Sequence, residues 1–440
     1  MFFVCACLSL GPAAFATAQS ASPELRHFIQ ASLQMSAGKA IERALNTTSL
    51  TYHGSPFHAI LTISQPNDKG SPFQGSVEVY WASSSQYRIV VASKTFKQTR
   101  IVNGDQVEED NTGDFYPTWL RNYVDALMNP LPRAEEFQND RSSVMLGTDV
   151  SQSCISRDDR TNGITDMMTW AQICFAGSEP RIKSAMDFTY FMEPGDYQPF
   201  GSKLVARSYT NYTDDNETIV GRLTTLEPLN STDASLFMIE HPTPPDQRIE
   251  TKFVPMATNE ALLAQAPVID WAPVHEGKTE GNMIVHVITD RAGQVREAYK
   301  HNSDNPGTED FGVQQALRYK FKPLLVNGVP VQMETPLVLH FKTQISDPIP
   351  VITGKEIDSV VSGCHYNPTL PKGLLASGTT FKIRVSVNEQ GKDTGDLFPN
   401  GIPWNVVQQA WHELQSCKYK TYLVNGHPWY HHIDFAFTAP

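Results

Sequence analysis

The sequence predicts an α+β chain: an antiparallel sheet with covering helices, followed by two copies of a small α+β module. Three observations predict it. Apolar residues alternate with period two from Phe57 onward, helical spacing interrupts them only briefly, and the last third of the chain repeats itself at an offset of 98 residues.

A length of 440 residues gives room for about three domains. Hydrophobic residues, at 40%, suffice for packed cores, and 19% charged residues without a long charge run exclude wholesale disorder. A net charge of −12 with no basic patch excludes a nucleic-acid partner and disfavours anionic lipid surfaces.

The apolar run from Phe2 to Ala16 is short for a membrane span and is broken by Gly11-Pro12. It closes on Ala16-x-Ala18, so residues 1–18 read as a cleavable export signal, although no Lys or Arg precedes the apolar run. An anchored form is the alternative. Cys5 and Cys7 fall within the signal. Of the remaining four cysteines, Cys154 pairs with Cys174 and Cys364 with Cys417, each pair within one predicted domain. A zinc site is the weaker reading, because no CxxC spacing exists.

From Ser20 to Asn46 the pattern is helical. Strands follow in FHAILTIS, SVEVYWA and YRIVVAS, where Phe57, Ala59, Leu61, Ile63, Val77, Val79, Trp81, Tyr87, Ile89 and Val91 alternate. Turns are predicted at Asn67–Gly70 and Asn103-Gly104. A helix interrupts at YPTWLRNYVDALMN, and strands resume around Met168–Phe175, Ile182–Phe191, Ser202–Tyr209 and Ile219–Leu226. Prolines from Pro242 to Pro273 read as a linker.

In the repeat, Met283, Val285 and Val287 fall on Phe381, Ile383 and Val385, Gly293 on Gly391, and Leu325-Val326-Asn327-Gly328 on Leu423-Val424-Asn425-Gly426. A helix containing VQQA lies between these landmarks in each copy. Its offset is 94 rather than 98, which gives the second helix about one more turn. The predicted domains are 20–250, 260–344 and 352–440, with QISDPIPVITG linking the copies.

At Met283–Phe341 the sequence resembles the C-terminal domain of TonB and its relatives. The features that carry this are Asp290-x-x-Gly293, the amphipathic helix, Tyr319-Lys-Phe321-Lys-Pro323, and Asn327-Gly328-Val329-Pro330-Val331 leading into LVLHF. Phe381–Phe437 resembles a degenerate copy: it keeps Gly391, the helix, Gly426-His427-Pro428 and HIDFAF, but has Thr421 where the family has proline. Neither copy has the family's Tyr-Pro-x-x-Ala segment. The order helix, meander, helix, further strands resembles the LolA-like curved half-barrels, although no short motif supports it.

The first resemblance implies an interaction module whose exposed strands accept an extended peptide or an envelope protein. The predicted borders are Leu337, Val338, Leu339, His340 and Phe341 in the first copy and Ile433, Asp434 and Phe435 in the second. His340, Lys342 and Asp434 would guard these borders against random pairing. Energy transduction is not implied, because a long Pro-rich spacer is absent. The second resemblance implies a periplasmic carrier of a lipid, lipoprotein or other hydrophobic ligand, lined by Phe57, Leu61, Val77, Val79, Trp81, Ile89 and Val91. Ordinary core is the favoured reading of the same face, because alternation shows a buried face but not a cavity.

No catalytic constellation emerges, so no enzyme, cofactor or metal is expected. Ser36-Ala-Gly-Lys39 and Ser303-Asp304-Asn305 fit two of three serine β-lactamase motifs, but K-T-G is missing and the two pieces fall in different predicted domains. His427, His431 and His432 read as strand and turn residues, since neighbours on a strand face opposite ways. Trp404 and Trp411 read as core rather than as a ligand platform.

Overall fold

Alternation of β-branched and aromatic residues puts one face of each N-terminal strand into a core. In β1 (Phe57–Ser64), Phe57, Ala59, Leu61 and Ile63 are buried and the residues between them are not. Val77, Val79 and Trp81 repeat this in β2 (Gly75–Ser83), and β3 (Gln86–Ser93), β4 (Lys97–Asn103) and β5 (Gln106–Thr112) complete a meander. The structure is a computed structural model that describes residues 38–66, 71–131, 143–149, 152–158, 170–176, 181–187, 189–212, 218–229, 233–364, 366–424 and 426–440. The export signal, the turn at Asn67–Gly70, most of the first predicted helix, Ser36 and Asn425 lie outside them.

A second meander follows: β6 (Ser143–Asp149), β7 (Gln152–Asp158), β8 (Trp170–Ala176), β9 (Ile182–Asp187), β10 (Tyr190–Gly195), β13 (Ser208–Tyr212) and β14 (Thr218–Pro228). A small ribbon of β11 (Gln198–Phe200) and β12 (Lys203–Val205) is inserted in it. β1 pairs antiparallel with β14, which fuses the meanders into one curled sheet of 12 strands, ordered β5-β4-β3-β2-β1-β14-β13-β10-β9-β8-β7-β6. Helix α1 (38–48) contributes Ile41 and Ala44 to its core. Helix α2 (Thr118–Met128) contributes Leu120, Tyr123 and Leu127.

Contacts group the chain into two compact units. The first runs up to Trp271 and includes Glu280–Phe341; the second comprises Ala272–Thr279 and Lys342–Pro440. The first module thus shares a unit with the large sheet.

The two modules have the same topology. In the first, β15 (Thr251–Phe253), β21 (Val329–Lys342), β17 (Glu280–Thr289) and β18 (Val295–Ser303) lie in that order. In the second, β22 (Val351–Thr353), β29 (His431–Thr438), β24 (Thr380–Val387) and β25 (Asp393–Leu397) lie in the corresponding order. Each begins with a three-residue strand parallel to its last strand, Thr251↔Gln332 in one and Val351↔His432 in the other. A one-turn helix follows, α3 (Met256–Asn259) or α5 (Ile357–Val360). Next comes a short strand, β16 (Leu263–Gln265) or β23 (Val361–Ser362). It pairs with residues just after the main helix, β19 (Lys320–Phe321) or β26 (Lys418–Tyr419). The main helices are α4 (Glu309–Ala316), 8 residues long, and α6 (Trp404–Leu414), 11 residues, the predicted extra turn. The Asn327-Gly328 hairpin joins β20 (Leu324–Val326) to β21.

Both supposed linkers are corrected by this arrangement. Pro242–Pro273 holds β15, α3 and β16, and QISDPIPVITG holds β22, because three-residue strands find their hydrogen-bond partners on a distant strand rather than through local alternation.

Both disulfides form as paired in the sequence. Cys154 and Cys174 face each other across β7 and β8, and Cys364–Cys417 closes the β23–β26 ribbon.

Candidate functional site

The seven residues predicted to line a hydrophobic site do share one face. Register places Phe57 opposite Trp81, Leu61 opposite Val77, Val77 opposite Val91 and Val79 opposite Ile89. Trp81 stacks on Phe57 with ring centroids 5.6 Å apart. Six of the seven are buried and Ile89 is half-buried. The face is filled by the chain itself, through Ile41 and Ala44 of α1 and Leu120, Tyr123 and Leu127 of α2. The Tyr123 hydroxyl donates to the Ile219 carbonyl at 2.9 Å. Room for its ring comes from Gly221, where a Cβ would stand 2.7 Å from Tyr123 Cε1.

The borders predicted to receive a peptide are taken up by the chain's own residues. On β21, β15 pairs over Gln332–Glu334, the Asn259 amide donates to the Pro336 carbonyl, and Trp271 Nε1 donates to the His340 carbonyl at 3.1 Å. Leu337, Leu339 and Phe341 turn into the core, with Val338 and His340 between them. On β29, β22 pairs over His432–Asp434, covering Ile433 and Asp434, and Thr438 donates to the Pro368 carbonyl at 2.7 Å and accepts from Leu370 N at 3.0 Å. Phe435 is core. Two of the three expected guard residues have other work: Asp434 receives Arg384 at 2.7 and 3.1 Å from the neighbouring strand, and His340 bonds Asn282. Ion pairing with Arg384 and Lys382 outweighs burial and holds the Asp434 carboxyl below the usual range.

A cleft of about 510 Å³ lies where α2 meets the first module, and sequence reasoning missed it. Helix α2 gives its apolar face to the sheet and its polar residues Arg121, Asn122 and Asp125 to the cleft. Glu334 of β21 gathers the other groups. It accepts Arg121 Nη2 at 2.5 Å and the Thr189 hydroxyl at 2.9 Å, and His286 Nε2 lies 3.3 Å away. Beside the cleft, the Glu109 carboxylate is tied to Arg100 at 2.9 Å and to the Ile249 N–H at 2.8 Å. Burial pushes the Asp125 carboxyl up to about 6; Arg121 pulls the other way and Glu334 adds to the rise. Arg100, Arg121 and Lys252 balance Asp125, Glu250 and Glu334 along the lining, so the cleft selects no single sign of charge. The only local signal in the sequence was a set of polar residues on the far side of an apolar-periodic helix.

The other residues singled out have structural work. Ser303 accepts from Asn305 N at 3.1 Å, Asn305 caps Gly307 N at 2.9 Å, and Asp304 accepts from Asn282 N at 2.8 Å, so the S-D-N string builds a turn. His432 Nε2 bonds Glu276 at 2.9 Å. Trp404, expected in the core, is instead exposed on the first turn of its helix, whereas Trp411 is half-buried and lines a second pocket with Asp393, Asp396 and Tyr419.

No protein-family profile and no curated protein sequence matches the chain. Among solved structures it is similar to a LolA superfamily protein from Nitrosomonas europaea, with 8% identity, 46% of this chain and 97% of that one covered, and a TM-score of 0.30. It is also similar to a putative outer membrane lipoprotein-sorting protein domain from Vibrio parahaemolyticus, with 7% identity, 46% and 97% coverage, and a TM-score of 0.29. A third is a DUF1329 family protein from Desulfovibrio piger, with 9% identity, 46% and 96% coverage, and a TM-score of 0.28.

Proposed function

We propose that this chain is a non-catalytic, exported envelope protein that carries a hydrophobic ligand, a lipid or the lipid of a lipoprotein, on the helix-covered face of its large sheet. One observation carries the reading: a continuous apolar face, from Phe57 to Val91, is covered by helices rather than by a second sheet. Moving α2 off this face would break side-chain contacts but no strand ladder. An acyl chain could then replace the contacts of Leu120, Tyr123 and Leu127 at similar apolar area. Two disulfides support an oxidising compartment outside the cytoplasm. The absence of any complete catalytic motif in the sequence supports a binding role.

The test is organic extraction of the full chain purified from an envelope fraction, followed by mass spectrometry, alongside titration of the delipidated protein with a fluorescent fatty acid. Near-stoichiometric lipid and saturable uptake of the probe are expected. A folded protein that yields no lipid and takes up no probe ends the proposal.

A further inference from the structure

The repeat supplies its own control for an unusual feature of the second module. Residues 98 apart occupy equivalent register positions: Ala298 pairs with Val287 and Asp396 with Val385, while Val295 pairs with Thr289 and Asp393 with Val387. Val385 and Val387 point into the core under α6, being 1% and 0% exposed. Directly opposite residues on paired strands share a face. Asp396 therefore stands half-buried on the inner side of β25, and Asp393, which is exposed and accepts from Gly395 N at 2.9 Å, stands at the rim, where the first module has Ala298 and buried Val295 packed in its apolar core. The same substitution pattern continues on the facing elements, with Tyr419 at the place of Phe321. Where the first copy is filled, the second has a pocket of about 420 Å³ lined by both aspartates, Trp411, Tyr419 and the Cys417 end of the disulfide.

The Asp396 carboxylate on the inner face of a sheet does nothing for packing, and burying it carries a desolvation cost. The Trp411 indole donates to Asp396 Oδ2 at 2.6 Å, which fixes the carboxylate against the aromatic wall. Asp396 Oδ1 is buried with no hydrogen-bond partner among the described residues. Burial, more than the nearby Asp393, pushes the Asp396 carboxyl upward, against the indole bond that stabilises its charge. A cation in the pocket would supply the counter-charge that this carboxylate lacks. Lys418 also lines the pocket, so the lining carries one net negative charge and suits a single positive charge. Aromatic faces with carboxylates favour an alkylated or primary ammonium, which gains from both the ring quadrupole and the counter-charge.

We propose that the second module binds an organic monocation, a primary or quaternary ammonium, in the pocket between β25 and α6, with Asp396 and Asp393 as counter-charges and Trp411 and Tyr419 as aromatic walls. The first module lacks this site because its equivalent positions are apolar. The site shares no residue with the apolar face of the large sheet.

The experiment uses the full-length protein and follows the Trp411 indole N–H resonance, assigned by its loss in W411F. Three probes are titrated: choline, Nα-acetyl-lysine methylamide, and the neutral norleucine analogue. A saturable shift with choline alone points to a free quaternary ammonium, and a shift with the lysine probe points to a peptide side chain. Either supports the proposal if the norleucine analogue gives none and D396A weakens binding by about tenfold or more. D396A installs the residue type of the first copy, so its melting temperature should hold or rise. Should it fail to fold, D396N must show the same loss. No saturable shift with either cation, equal binding of the neutral analogue, or undiminished affinity in a folded Asp396 variant overturns the proposal.

Discussion

Two glycines show how single atoms fix the modules. Gly293 has φ of +81°, and a Cβ there would stand 2.1 Å from the Phe321 carbonyl oxygen; Gly391 has φ of +73°, with 2.9 Å to the Tyr419 oxygen. Each turn glycine is pressed against the strand that follows the main helix, and Gly293 O accepts from Phe321 N at 2.8 Å. A side chain at either position meets both a left-handed backbone and a carbonyl. G293A is therefore expected to destabilise the first unit by more than about 1 kcal/mol, and G391A the second unit by less, as read by chemical denaturation. Equal effects would mean that backbone conformation alone, not the close approach, sets the cost. Asp125 gives a second expectation at this scale. Its proton is held more tightly in the fold than in the unfolded chain, since its folded value rises from 3.8 to about 6. The folded state then binds more protons between those values, so stability falls as pH rises from about 4 to about 6 and the loss is complete above that. D125N should flatten this part of the stability–pH curve and raise stability at neutral pH. An unchanged slope would show that Asp125 is not the group responsible.

At the scale of elements, the first module is fastened by buried polar contacts. The fully buried Gln332 side chain of β21 accepts from Tyr116 N at 2.7 Å, and its amide donates to Thr251 Oγ1 at 3.2 Å and to the Tyr116 carbonyl at 3.3 Å. Q332L keeps the volume but leaves a buried N–H unpaired, at a cost of about 1–3 kcal/mol. A loss well below that, measured by urea unfolding, would mean that water replaces the amide. Legibility divides along the same line. β1, β2 and β3 were readable because Phe57, Val79 and Val91 alternate with polar residues, and both modules because Gly293 and Gly391 recur with matching strands. β4 and β5, reading KQTRIVN and QVEEDNT, offer too few apolar residues for a period. β15 and β22 are three residues long and lie close to prolines, so they looked like linker. The cleft was invisible because Arg100, Arg121, Thr189, Lys252 and Glu334 come from five distant segments. The acidic pocket was readable in principle, as Asp393 and Asp396 aligned on Val295 and Ala298, but only once the repeat was treated as a register.

At the scale of the molecule, chain order and folding units differ. The second unit takes Ala272–Thr279 from ahead of β17, across the stretch from β17 to β21 in sequence. Val274 N donates to the Gln344 carbonyl and Ser346 N to the Val274 carbonyl, both at 2.9 Å. Glu276 meets His432 at 2.9 Å and Arg384 at 3.8 Å, and His432 is only 3% exposed. A fragment beginning at Lys342 therefore keeps the second module and the Cys364–Cys417 crosslink, which closes 53 residues and is worth about 4 kcal/mol in loop entropy, but lacks this segment. Such a fragment should fold, yet unfold at lower urea than the same residues in the whole chain, because His432 loses Glu276 and the backbone at Gln344 and Ser346 loses Val274. A synthetic peptide of residues 272–279 should raise its midpoint in a concentration-dependent way, since a ligand that binds only the folded form stabilises it by mass action. A fragment already as stable as the intact unit, or one indifferent to the peptide, would show that this segment rests on the second unit without supporting it.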